Sequence, residues 1–181
     1  PGLVARCNEL AMPAVALTDQ SNVFGLPKLY RAATNAGVKP IVGAELWIAG
    51  ASNEPERYKL VVLCQNQIGY RNLSQLLTRA YRFGQKGGVA LVDETWLDAH
   101  SLAGLIVLSG GLNGDLGCLV AEGRAERVVE RVRHWLSLLG DRYFIEITRT
   151  GRSEEPRYLA AMLEVTNKLP VPLVATNDVR F

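Results

Sequence analysis

The sequence predicts an α/β fold: a mostly parallel β-sheet covered on its outer face by helices. Short apolar runs alternate with segments of helical spacing along nearly the whole chain. The runs are continuously apolar rather than alternating, which is how strands buried on both faces read. An open doubly wound sheet and a barrel both satisfy this pattern. No glycine-rich dinucleotide fingerprint follows any strand, which favours the barrel. The similar strand ends Val15-Ala16-Leu17-Thr18-Asp19 and Val174-Ala175-Thr176-Asn177-Asp178 would be neighbours in such a barrel.

Each element follows from local signals. Leu3 to Leu10 reads as the end of a helix, stopped by Pro13. Ala14 to Asp19 is a first apolar run ending in an acid. Leu26, Leu29, Tyr30 and Ala33 have helical spacing, and Gly37 is a good C-terminal stop. Pro40 to Ile48 is a second strand, Ala51 to Arg57 a polar loop, and Lys59 to Cys64 a third strand. Ile68 to Tyr81 forms a helix with Tyr70, Leu73, Leu76, Leu77 and Tyr81 on one side. Gly84 to Gly88 is a flexible turn, and Asp93 caps a short helix. Leu105 to Leu108 is a fourth strand running into Ser109-Gly110-Gly111. Asp115 to Glu122 and Ala125 to Leu139 are helices, the second with a stripe of Val128, Val129, Val132, Trp135, Leu136 and Leu139. Tyr143 to Ile147 is a fifth strand. Ser153 is expected to cap a helix running to about Lys168, and Pro172 to Asp178 is a sixth strand.

Composition sets the bounds. The 181 residues are 48% apolar and 21% charged, with a net charge of +2, which is ordinary for a globular domain. Near-neutrality gives no electrostatic footprint for tight DNA binding by this chain alone. No apolar run approaches the roughly 20 residues of a membrane span. The start at Pro1 does not resemble a signal peptide; it reads like the middle of a longer protein. Cys7, Cys64 and Cys118 are far apart and odd in number, so neither a zinc ribbon nor a disulfide framework fits. A reducing cytoplasm is the simplest compartment.

Ligands of parallel α/β folds bind at the carboxyl ends of the strands. There stand Asp19 and Gln20, Glu45, Gly110-Gly111, Thr148-Arg149-Thr150, and Asp178-Val179-Arg180, with Lys59 at the start of the third strand. Asp19, Glu45 and Asp178 can converge, or can be unrelated turn and cap residues. Three gathered carboxylates repel unless a cation offsets them. Hydrolytic metal sites mix carboxylates with neutral imidazoles. The two histidines, His100 and His134, lie on helices away from the strand ends. Lys59 and Arg180 are the cations at hand, so they are expected to sit among the acids as built-in counter-ions. Partial burial of such pairs makes Arg180→Ala costly, on the order of 3 kcal/mol. Ser109 to Asp115 is glycine-rich but lacks a P-loop ending, so a tight turn is favoured over a phosphate cradle.

The same strand ends carry a family resemblance. Met12-Pro13-Ala14-Val15-Ala16-Leu17-Thr18-Asp19-Gln20-Ser21-Asn22-Val23-Phe24-Gly25 resembles the second motif of the polymerase and histidinol phosphatase (PHP) domain of bacterial DNA polymerase III alpha subunits. Gly37 to Glu45 resembles the next block. Leu108-Ser109-Gly110-Gly111 and Val174 to Phe181 resemble later ones. The resemblance spans residues 1–181 as a single PHP domain. It implies a distorted (β/α)7 barrel lacking its N-terminal first strand, whose His-x-His motif would precede Pro1.

Active members of that family hydrolyse phosphoesters with a metal cluster. By resemblance, Asp19, Glu45 and Asp178 occupy acidic ligand positions. Gln20, Lys59, Thr150 and Arg180 stand where active members have His, and Gly111 where they have Cys. The resemblance therefore implies an inactive form with no catalytic residues, no metal ligands and no cofactor. It implies a scaffold that docks the proofreading exonuclease subunit and supports the remaining alpha-subunit domains, meeting DNA only through the parent polymerase. The alternative is a metal-dependent phosphoesterase or proofreading exonuclease of the same fold. A third reading is an unrelated small-molecule barrel enzyme.

Overall fold

The computed structural model describes residues 2–51 and 54–177. Asp178 and Arg180 lie outside the described residues. The chain order is α1 (Gly2–Glu9), β1 (Ala14–Leu17), α2 (Leu26–Asn35), β2 (Lys39–Ala49), β3 (Arg57–Cys64) and α3 (Gln67–Phe83), then β4 (Gln85–Lys86), β5 (Val89–Asp93), β6 (Leu105–Leu108), α4 (Asp115–Ala121), α5 (Val128–Leu139), β7 (Tyr143–Ile147), α6 (Glu155–Thr166) and β8 (Leu173–Ala175). Among the described residues no helix is long and apolar enough to cross a membrane.

Among the described residues eight strands form one sheet in the order β4-β5-β2-β3-β6-β7-β8, with β1 on β2. Strand β2 is long enough to pair with β1 through its first residues and with β5 through its last. Four pairings are parallel and three antiparallel, so the sheet is more mixed than the apolar runs imply. The main cause is β3, which runs against both β2 and β6. Among the described residues no pairing joins β1 to β8, and the sheet is not closed.

The β4–β5 hairpin replaces the expected flexible turn. Gly87 and Gly88 both have positive φ, at 59° and 78°, and sit between the paired Lys86 and Val89. A two-residue turn that follows the twist of its strands needs this backbone, and glycine supplies it without strain. The N-terminus of α6 also differs from expectation. Ser153 makes no cap. The Glu155 carboxylate instead accepts the N–H groups of Thr150 and Gly151 and the Thr150 hydroxyl. Asp93 caps as expected, accepting the N–H of Thr95 at 2.9 Å.

The pleat divides the strands between two faces. Ala44, Leu46, Ile48, Tyr58, Leu60, Val62, Val107, Tyr143 and Ile145 join the main core against α3, α4, α5 and α6. Glu45, Lys59, Val61, Leu63, Leu108, Glu146 and Val174 face the other way and line a cavity of about 300 Å³. A smaller core of Val4, Cys7, Leu29, Ala33 and Val38 ties α1 and α2 to the β1 side. The helical layer is pinned by a buried polar cluster. Arg131 on α5 reaches Asp115, Glu94 and the Tyr58 hydroxyl. Trp135 Nε1 also donates to Asp115 at 2.7 Å.

Candidate functional site

The cavity is built where parallel strands end. β1, β6, β7 and β8 bring their carboxyl ends to it, and β3, being reversed, runs along it with Lys59, Val61 and Leu63. That is why Lys59, near the start of its strand, reaches a site made of strand ends. Glu45 lies opposite Val61 in the β2–β3 register, two residues along from Lys59. Residues so related share a sheet face as diagonal neighbours. Lys59 Nζ donates to Glu45 Oε1 at 2.9 Å, with side chains 7% and 19% exposed.

Glu146 is the site residue that strand-end reasoning misses, because it sits inside β7 rather than after it. Its residue exposure is 8%. One carboxyl oxygen accepts the Thr176 hydroxyl at 2.6 Å, and the other has no hydrogen-bond partner among the described residues. Burial pushes its pKa up, against the Thr176 hydrogen bond and the nearby Lys59 charge. Its backbone is held too. Its N–H donates to Ser109 Oγ, and its carbonyl accepts the Tyr158 hydroxyl at 2.9 Å. The only advance signal for it is a carboxylate in an otherwise apolar strand, Tyr143-Phe144-Ile145-Glu146-Ile147.

The other sequence-derived positions fall in different places. Asp19 meets Glu45 through the backbone, its carbonyl accepting the Glu45 N–H at 3.1 Å. Its carboxylate packs beside Gly25, not among the cavity-lining groups. Gln20 forms a bridge with Glu45 and is exposed. Gly111 lines the cavity without a side chain to offer. Thr150 turns away to Glu155. The glycine-rich segment is a tight turn, a 3-10 helix over Gly111–Asn113. Gly110 there has φ 78°, and a Cβ on it would fall 2.2 Å from the Lys59 carbonyl. His134 packs edge-on against Trp135, and His100 offers its carbonyl to Asn72.

A hydrolytic metal cluster needs several anionic or neutral donors around one point. Among the described residues two carboxylates, Glu45 and Glu146, line the cavity, and an ammonium lies against Glu45. A lysine ammonium has no lone pair to give and repels a divalent ion. Among the described residues no three His, Cys, Asp or Glu side chains gather as ligands.

Residues 1–150 match the sequence profile of the family described as the PHP domain. The chain belongs to the PHP domain family. DNA polymerase III subunit alpha of Escherichia coli (strain K12) is 42% identical over 179 residues, covering 99% of this chain and 15% of that protein. The Vibrio cholerae subunit is 39% identical over 181 residues, 100% of this chain and 16% of that protein. This PHP chain thus spans about a sixth of the curated relatives it matches. Two solved structures share the fold. A putative metal-dependent phosphoesterase from Bifidobacterium adolescentis has a TM-score of 0.53 at 14% identity, over 97% of this chain and 79% of that one. An amidohydrolase from Chromobacterium violaceum has a TM-score of 0.57 at 12% identity, over 98% and 80%. At such identities the PHP chain shares their architecture, and its site has to be read from its own residues.

Proposed function

We propose that this chain is a non-catalytic PHP domain of a replicative DNA polymerase III alpha subunit, serving in the cytoplasm as a scaffold and docking site for the proofreading exonuclease subunit. The observation that carries the reading is the Lys59–Glu45 ion pair in the cavity. An ammonium stands where the family resemblance puts a neutral imidazole, and it neutralises a carboxylate without an external ion. The chain's own groups hold the cavity walls together: Lys59 bridges β3 to β2, and Thr176 ties β8 to β7 through Glu146. Similarity to alpha subunits along the whole chain supports the polymerase context.

The test has two arms, both on the parent polymerase chain. Pull-down with the exonuclease subunit should recover a complex. Elemental analysis after dialysis should find substoichiometric zinc and manganese. Stoichiometric metal together with phosphodiesterase activity would favour the metal-dependent phosphoesterase reading and overturn the proposal. Failure of the pull-down would remove the docking role.

A further inference from the structure

Outside the cavity, the surface with the most unusual character lies where the β1–α2 loop meets α3. Phe24 at its tip is 80% exposed, and Tyr81 on α3 is 46% exposed. Between them runs a groove of about 380 Å³ floored by Val23 and Leu77. Ser74 and Thr78 also line it, but their hydroxyls are turned back onto the Tyr70 and Ser74 carbonyls at 2.8 and 2.7 Å. Their polar atoms are therefore satisfied within the helix, and the groove is more apolar than its sequence suggests. Leaving so large an aromatic group in water as Phe24 gains the fold nothing.

The charged side chain in the groove's lining is Arg82, and the helix that carries it is basic. The 17 residues of α3 include Arg71, Arg79 and Arg82 and no Asp or Glu. Arg82 lines the groove and lies over the Phe83 ring at 5.0 Å, and Arg79 lies over Trp96 at 4.1 Å. Stacking on Phe83 holds the Arg82 guanidinium in place at the rim, so a partner meets it already ordered.

We propose that this groove is a docking site for a short acidic peptide segment of a partner protein, carrying one apolar anchor side chain between carboxylates. The anchor fills the space between Phe24 and Tyr81, and a neighbouring carboxylate meets Arg82. This is the ordinary division of labour in peptide recognition: an apolar pocket at the centre and a charged rim. Single-stranded nucleic acid fits less well. It needs successive open ring faces along a basic track, whereas this seat is a single apolar hollow. The inference concerns this face whichever assembly the chain serves.

Fluorescence anisotropy with the full chain tests it, using labelled peptides with one central Leu flanked by either four Glu or four Lys, and a labelled oligo-dT. The Glu peptide should bind at low salt and weaken about tenfold between 50 and 300 mM salt. Phe24→Ser and Arg82→Glu should each weaken it at least tenfold. Both positions are exposed, so circular dichroism should show both variants folded. The Lys peptide should not bind. Equal binding of the two peptides, a Glu-peptide affinity untouched by both substitutions, or tighter binding of oligo-dT with the same dependence on Phe24 and Arg82 would each overturn the proposal.

Discussion

Lys59 Nζ lies 2.9 Å from Glu45 Oε1 across the β2–β3 antiparallel pair, on the cavity face of the sheet. Glu146 faces the same cavity and feels the Lys59 charge. One cation therefore serves two carboxylates, one by direct contact and one at longer range.

Removing the cation alone should be costly. Lys59→Met leaves Glu45 without its partner in a mostly buried site, and a loss of about 3 kcal/mol is expected. The double substitution Lys59→Met with Glu45→Gln removes both charges and should recover most of that loss. Urea denaturation of the three variants and the parent gives the coupling. A double variant as unstable as the single would show that the pair is not what the site depends on.

Asp115 is the acceptor on which the helical layer converges. It is fully buried and accepts from Arg131, from Trp135 Nε1 and from the Leu116 N–H. Asp115→Ala strands the Arg131 guanidinium, and a loss of about 4 kcal/mol is expected, by the usual penalty for a broken buried pair. Arg131→Lys should also destabilise, because a single ammonium cannot replace a fork that meets Asp115, Glu94 and Tyr58 together. Thermal unfolding measures both.

Glu155 provides a pH dependence with a defined sign. Hydrogen bonds from the Thr150 hydroxyl and N–H, and from the Gly151 N–H, draw its pKa down from 4.5 to about 2. A depressed carboxylate pKa contributes stability that is fully present above the unfolded value and is lost as pH falls through the folded one. The turn at residues 148–151 should therefore release from α6 between about pH 4.5 and pH 2. Amide exchange at Thr150 and Gly151 should accelerate across that window, and Glu155→Gln should flatten the response.

Gly110 couples the turn after β6 to the site. Its φ of 78° disfavours any side chain, and a Cβ would meet the Lys59 carbonyl at 2.2 Å. Gly110→Ala should cost at least about 2 kcal/mol, beginning with 1–2 for the left-handed backbone alone. It should also shift the amide signals of Lys59 and Glu45 in a heteronuclear NMR spectrum. An unchanged spectrum would show the contact to be loose.

Much of the architecture was legible from local pattern. The apolar runs at Pro40–Ile48 and Lys59–Cys64 and the stripe of Leu73, Leu76 and Leu77 appear as β2, β3 and α3. Glu45 and Lys59 were placed at the site by strand position, and they are paired there. The β4–β5 hairpin looks like a plain turn in sequence because its first strand is two residues long and polar. Glu146 and Arg131 are not legible in the sequence because each lies within an apolar pattern, where a charge reads as an interruption until its partner is known.

Local composition and periodicity thus determined the order and type of most elements, since backbone propensity and burial of one face act over a few residues. The direction of β3 was decided only in the tertiary structure. Strand direction depends on pairing between residues far apart in sequence, and an apolar run reads the same either way. That reversal brings Lys59 to Glu45, so the pair at the centre of the site is a product of topology acting on residues that the sequence had already supplied.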